Sequence, residues 1–233
     1  MSEVVNDYSP SYRDSIKQNL TITAHAGALG TKPNTLSSLK KAVEFGVDIV
    51  EVDLTFRPDG TPVIIHCEKP GKRQGVLFDD VLSLVASYKE VQMNLDLKSY
   101  TNLPLCHQLL EKHNLMSRAF FTGVFERNVN DVRQNAPNIP YYLNASIALG
   151  IHNNERYLYD MVEKLKNLEC IGLNPNFRTV DKKLVEILHQ AGMKVSVWTV
   201  NNKTDMMKMI KLGVDNITTK RPDKLSAIIS NLK

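Results

Sequence analysis

Cysteine is scarce and unpaired in this chain: Cys67, Cys106 and Cys170 are widely spaced among 233 residues and form no C-x-x-C pair. That pattern argues against both a disulfide framework and a cysteine-based zinc site. No apolar run approaches the roughly eighteen residues of a membrane span, which excludes a membrane-spanning chain. The opening stretch MSEVVNDYSPSYRDSIKQNL lacks a basic segment followed by an apolar one. No secretory signal is read there, and a cytoplasmic location is the expectation. The formal net charge is +4, but Lys and Arg are scattered and lack the interleaved aromatics of a nucleic-acid surface. No nucleic-acid partner is expected. One basic cluster stands apart, Lys69, Lys72 and Arg73 in EKPGKRQG, a turn-rich segment just after His66 and a possible meeting point for an anionic substrate.

What is present is an alternation of short β-branched runs with helical patterns along nearly the whole chain. Strands are expected near 20–24, 48–54, 91–97, 118–123, 139–145, 169–174, 194–200 and 215–219. Helices lie between them. Asn34 is read as the cap of TLSSLKKAVEF, whose Leu36, Leu39 and Val43 share a face and which Gly46 ends. Gly192 and Gly213 close two later helices in the same way. Eight βα units in this length predict an α/β fold, a single-domain (β/α)8 TIM barrel over residues 20–233, after a helical N-terminal lead over residues 1–19.

The second strand is where the chemistry concentrates. Read alternately, Ile49, Glu51, Asp53 and Thr55 share one face, and Val50, Val52, Leu54 and Phe56 share the other. The second face is ordinary packing surface. The first is not, because burying two like charges together costs several kcal/mol unless protons or a cation neutralise them. In the first strand Thr21, Thr23 and His25 share a face, and in the third Asn94, Asp96 and Lys98 do so. His25, Glu51, Asp53, Asp96 and Lys98 therefore fall at one end of three consecutive strands. Three carboxylates suit a hard divalent cation, Mg²⁺ or Ca²⁺, better than zinc. Asp59-Gly60 makes a turn after which PVIIH returns, bringing His66 back over the strand end. Two histidines beside a carboxylate cluster supply the acid and base that phosphodiester cleavage needs.

These residues carry a resemblance. The order AHAG, KPNT, EVDLTFRPDGTPVIIH, NLDLK and VSVWTVN with GVDNITTKRPD resembles the glycerophosphodiester phosphodiesterase family over residues 20–225. The resemblance implies a (β/α)8 barrel that hydrolyses a small-molecule glycerophosphodiester to glycerol 3-phosphate and an alcohol with a divalent metal. By position it implies His25 and His66 as the acid and base, Glu51, Asp53 and Asp96 as metal ligands, Lys98 as a phosphate contact and Trp198 as a pocket wall.

The chain also departs from that pattern. The family writes H-R-G where this chain has His25-Ala26-Gly27, which removes a guanidinium from the phosphate grip. It writes P-E-N-T where this chain has Pro33-Asn34-Thr35, one residue shorter and without the acid. Cys67 and Thr219 stand where the family has Asp, and Asp96 stands for a Glu. The segment 67–77 is short, which predicts a reduced capping insertion and an open site. Lys69, Lys72 or Arg73 is a candidate to restore the missing charge. Two rival readings remain at this point: a barrel that binds a phosphodiester headgroup without turnover, and a phospholipase D-like enzyme acting on lysophospholipids. The mark of the second would be an apolar lip, for which Tyr141, Tyr142 and Ile147 to Leu149 are the candidates.

Overall fold

β-Branched runs that are apolar on one face and mixed on the other can bury both faces if the sheet closes on itself and helices cover its outside. The computed structural model, which describes Ile16, residues 19–145 and residues 154–232, has this arrangement. The strands in chain order are β1 (Thr21–Ala24), β2 (Ile49–Phe56), β3 (Pro62–Ile64), β4 (Val76–Leu77), β5 (Gln92–Leu97), β6 (Ala119–Val124), β7 (Tyr141–Leu143), β8 (Gly172–Leu173), β9 (Lys194–Val197) and β10 (Asn216–Thr219). Eight of them, β1, β2 and β5 to β10, pair in parallel, and β1 pairs with both β10 and β2 to close the barrel. The other two form an antiparallel hairpin on the end of β2. All eight expected strands are found; the hairpin's second strand, β4, had no counterpart in the pattern. The helices are α1 (Leu36–Phe45), α2 (Phe78–Ala86), α3 (Leu103–Lys112), α4 (Val129–Asn135), α5 (Glu155–Asn167), α6 (Lys182–Gln190), α7 (Lys203–Leu212) and α8 (Pro222–Ser230).

The alternation read from β2 is realised in space. Val50, Val52, Leu54 and Phe56 join the large apolar layer between sheet and helices. Ile49 instead joins Phe120 and Tyr142 in a small second cluster inside the barrel, where the two rings meet edge to face with centroids 5.5 Å apart. The interior thus has an apolar plug beside a polar network of Thr21, Thr23, Ser196 and Asn216, and Glu51, Asp53 and Asp96 lie further toward the carboxyl ends of β2 and β5 than Ile49.

Tyr141 and Tyr142, candidates for the apolar lip of the phospholipase reading, do not form one. Tyr141 and Tyr142 are 4% and 5% exposed and lie in β7, not at a rim. Ile147 to Leu149 lie outside the described residues, as does the helical lead apart from Ile16 and Asn19, which are helical. Among the described residues no helix is long and apolar enough to cross a membrane. Cys67, Cys106 and Cys170 are free thiols.

A second correction concerns Asn34. The cap of α1 is Thr35, whose hydroxyl accepts the Ser38 N–H. Asn34 adopts a left-handed conformation with φ 54° and turns its side chain inward. Asparagine tolerates that region better than most residues, so the adjacent threonine takes the cap and releases the amide for other work.

Candidate active site

Strand register assembles the acidic centre. Asp53 on β2 stands opposite Asp96 on β5, and Asp96 opposite Thr122 on β6; Glu51 stands opposite Asn94. One carboxylate oxygen from each of Glu51, Asp53 and Asp96 lies within 4.8 Å of the other two. Glu51 and Asp53 are only 4% and 3% exposed.

Each acid is held by named donors. The Ala26 N–H donates to Glu51 Oε2 at 2.7 Å. Asn34 clamps Asp53 from both sides, its Nδ2 donating to Oδ2 at 2.6 Å while its Oδ1 accepts the Asp53 N–H at 3.1 Å. The Thr122 hydroxyl lies 2.9 Å from Asp96 Oδ1 and 2.7 Å from Asn94 Oδ1. Lys98 Nζ bridges Asp53 Oδ1, at 3.0 Å, and Asp96 Oδ2. Burial works against the Lys98 charge, but Asp96 and Asp53 outweigh it and hold the ammonium above its ordinary range.

Gly123 makes room for this packing. It has φ +72°, and a Cβ there would come within 2.5 Å of the Leu97 carbonyl oxygen and 2.8 Å of Asp96 Oδ1. Only glycine fits both the backbone conformation and the close approach of Asp96.

Burial, and then the charges of Asp53 and Asp96, push the Glu51 carboxyl well above 4.5. Three hard oxygen donors converging in a partly dry site suit a hard divalent cation, whose charge there would offset the repulsion that adds to burial in raising Glu51. The donor set fits such an ion.

The histidines approach from two sides. His25 follows β1, with Nδ1 3.0 Å from the Ala26 carbonyl oxygen and 3.8 Å from Glu51 Oε2. Burial lowers its pKa below 6.5, partly offset by the bond to the Ala26 carbonyl, and the Lys220 charge lowers it further. The hairpin returns as expected: the Asp59 side chain accepts the Thr61 N–H, and the Ile65 N–H donates to the Asp53 carbonyl at 2.9 Å. His66 is thereby delivered, exposed, to the same cavity.

That cavity, about 450 Å³, is lined by all seven residues expected at the site: His25, Glu51, Asp53, His66, Asp96, Lys98 and Trp198. From the basic turn only His66 and Glu68 reach the wall, so Lys69, Lys72 and Arg73 do not supply the missing charge to it. Apart from Trp198, the far wall had not been foreseen. Asn144 Oδ1 accepts the Gly123 N–H at 3.0 Å and Asn174 Nδ2 at 3.1 Å, while the Asn174 carbonyl accepts Trp198 Nε1 at 3.0 Å. Tyr100, Phe125 and Arg127 complete it. The available signal was positional, since Asn144 and Asn174 each follow a strand by one residue at the end where the acids lie.

With this geometry in hand, comparison with known proteins is decisive. The model of the glycerophosphoryl diester phosphodiesterase family matches residues 25–69 and 76–224. The chain belongs to that family. The match breaks over residues 70–75, between β3 and β4. A glycerophosphodiester phosphodiesterase of Caldanaerobacter subterraneus is 26% identical over 249 residues, covering 89% of this chain and 97% of its own. One from Bacillus altitudinis is 24% identical over 252 residues, covering 91% of this chain and 99% of its own. Among solved structures, an Oleispira antarctica phosphodiesterase in complex with the product sn-glycerol-3-phosphate superposes with a TM-score of 0.75 at 22% identity, covering 93% of this chain and 99% of that one. That structure shares the barrel.

Proposed function

We propose that this member of the glycerophosphoryl diester phosphodiesterase family hydrolyses glycerophosphodiesters to glycerol 3-phosphate and an alcohol, with a divalent cation held by Glu51, Asp53 and Asp96. The observation that carries this reading is the convergence of three carboxylates, two of them buried, beside His25 and His66 in one cavity. Bound there, Mg²⁺ or Ca²⁺ supplies Lewis-acid charge to the phosphate oxygens. Asn34, Thr122 and the Ala26 N–H orient the three acids, and Lys98 adds a positive charge beside the phosphate position.

Proton traffic falls to the histidines. With Nδ1–H donating to the Ala26 carbonyl, the neutral His25 ring keeps Nε2 as an acceptor, and its lowered pKa keeps the ring neutral. His25 is accordingly the base that takes the proton from the neighbouring glycerol hydroxyl as it attacks phosphorus, His66 is the acid that protonates the departing alkoxide, and water then opens the resulting cyclic phosphate to glycerol 3-phosphate. Trp198, 38% exposed and anchored through its indole N–H, forms part of the wall beside the substrate.

Ala26 favours one rival, a barrel that binds the diester without turning it over, because no guanidinium stands in the first motif. The test is glycerol 3-phosphate release from a panel of glycerophosphodiesters by wild type and Glu51→Gln with Mg²⁺ or Ca²⁺ supplied. Turnover by wild type that collapses in Glu51→Gln supports hydrolysis. Diester binding with no release from any member of the panel supports the rival.

A further inference from the structure

We propose that Arg127 selects diesters whose leaving alcohol carries a second anionic group, such as a phosphorylated polyol, over those that release a cationic or neutral alcohol. This rests on the hydrolytic reading above and specifies its substrate class.

Arg127 lies in the short helical turn Glu126–Asn128 that follows β6 and lines the same cavity as His25. Its guanidinium stacks on the Phe125 ring, 4.9 Å from the centroid. Stacking holds the plane of the group while leaving its N–H donors unspent. No carboxylate among the described residues pairs with it, and the neighbouring Glu126 is committed to Lys164 at 2.8 Å. An oriented, unpaired guanidinium on a cavity wall is suited to a bidentate anion.

Position decides which anion. Lys98 already stands beside the carboxylates where the scissile phosphate must sit. Arg127 is exposed at the rim, and together with Phe125 and Asn144 it also lines an adjoining cavity of about 480 Å³. The three residues form the ridge between the two spaces. A group reaching Arg127 therefore extends outward beyond the scissile phosphate. Choline is disfavoured there, because Arg127 covers one face of the Phe125 ring and repels a second cation.

The test compares kcat/KM for three diesters sharing the glycerophosphoryl half: one releasing choline, one releasing glycerol, and one releasing glycerol that bears a terminal phosphate. Wild type is expected to favour the phosphate-bearing diester over the glycerol-bearing one by about fivefold to tenfold at low salt, a preference that fades as ionic strength rises. Arg127→Ala should bring that ratio near one, and Arg127→Lys should keep part of it. Equal loss on all three diesters would mean that Arg127 grips the scissile phosphate, which overturns the proposal. So would a wild-type preference for choline, or a ratio that Arg127→Ala leaves unmoved. No release from any diester by wild type would instead overturn the hydrolytic reading, and this inference with it.

Discussion

The two walls of the barrel mouth are built on different physical terms. On β1, β2 and β5 the polar groups are charged, mostly buried and mutually fixed: Glu51 by the Ala26 amide, Asp53 by Asn34 and Lys98, Asp96 by Lys98 and Thr122. On β6 to β9 they are neutral amides, exposed rings and, at the rim, the Arg127 guanidinium, and Asn174 Oδ1 is buried with no partner. Charge that must act on a reacting phosphorus has to be preorganised, because reorienting it during the reaction would cost what it contributes. A wall that only chooses among alcohols needs no such fixing. On the proposed reading, reaction falls to one side and selection to the other.

The largest effect should come from removing a proton carrier on the reacting wall. His25→Ala or His66→Ala is expected to lower kcat by roughly 10²–10⁴-fold with little change in KM, measured by steady-state release of glycerol 3-phosphate. Next is the seam between the walls. Gly123→Ala forces a Cβ against Asp96 and Leu97 at a positive φ, and a loss of about 2–4 kcal/mol is expected in denaturant unfolding, with weakened metal binding. Asn34→Ala leaves the Asp53 carboxylate and N–H short of partners, which should cost about 1–3 kcal/mol and lower metal affinity roughly tenfold or more by titration calorimetry. Its neighbour supplies the contrast: Thr35→Ala should cost about 1 kcal/mol of stability through the lost cap and leave metal affinity unchanged.

The smallest effect is on pH. A base must be neutral to accept a proton, and burial holds His25 below 6.5. The acid limb of kcat/KM should therefore lie below pH 6.5, with activity persisting as the pH falls through that value. A limb above it would remove His25 from the role of base.

The reacting wall was legible in the sequence because strands impose a period of two. Glu51 and Asp53 on a strand that must be buried demanded an explanation from their spacing alone, and His25, Asp96 and Lys98 fell at the same end by the same count. Asn34 was misread because a residue ahead of a helix offers two reasonable fates, cap or inward clamp, and only the backbone conformation separates them. Lys69, Lys72 and Arg73 were near His66 in sequence, but a hairpin turns alternate segments away from the site. The far wall was opaque for a different reason. Asn144 and Asn174 sit just beyond β7 and β8, whose spans are three and two residues, and Arg127 lies in the helical turn past the end of β6, so no periodic pattern marks them.

Chelation tests the central claim most directly: glycerol 3-phosphate release by the wild-type chain, measured before and after a divalent-metal chelator and again on adding Mg²⁺ or Ca²⁺. Release that stops on chelation and returns with the added ion is the predicted result. Release at an undiminished rate in excess chelator would contradict the assignment of Glu51, Asp53 and Asp96 to a metal that the reaction requires.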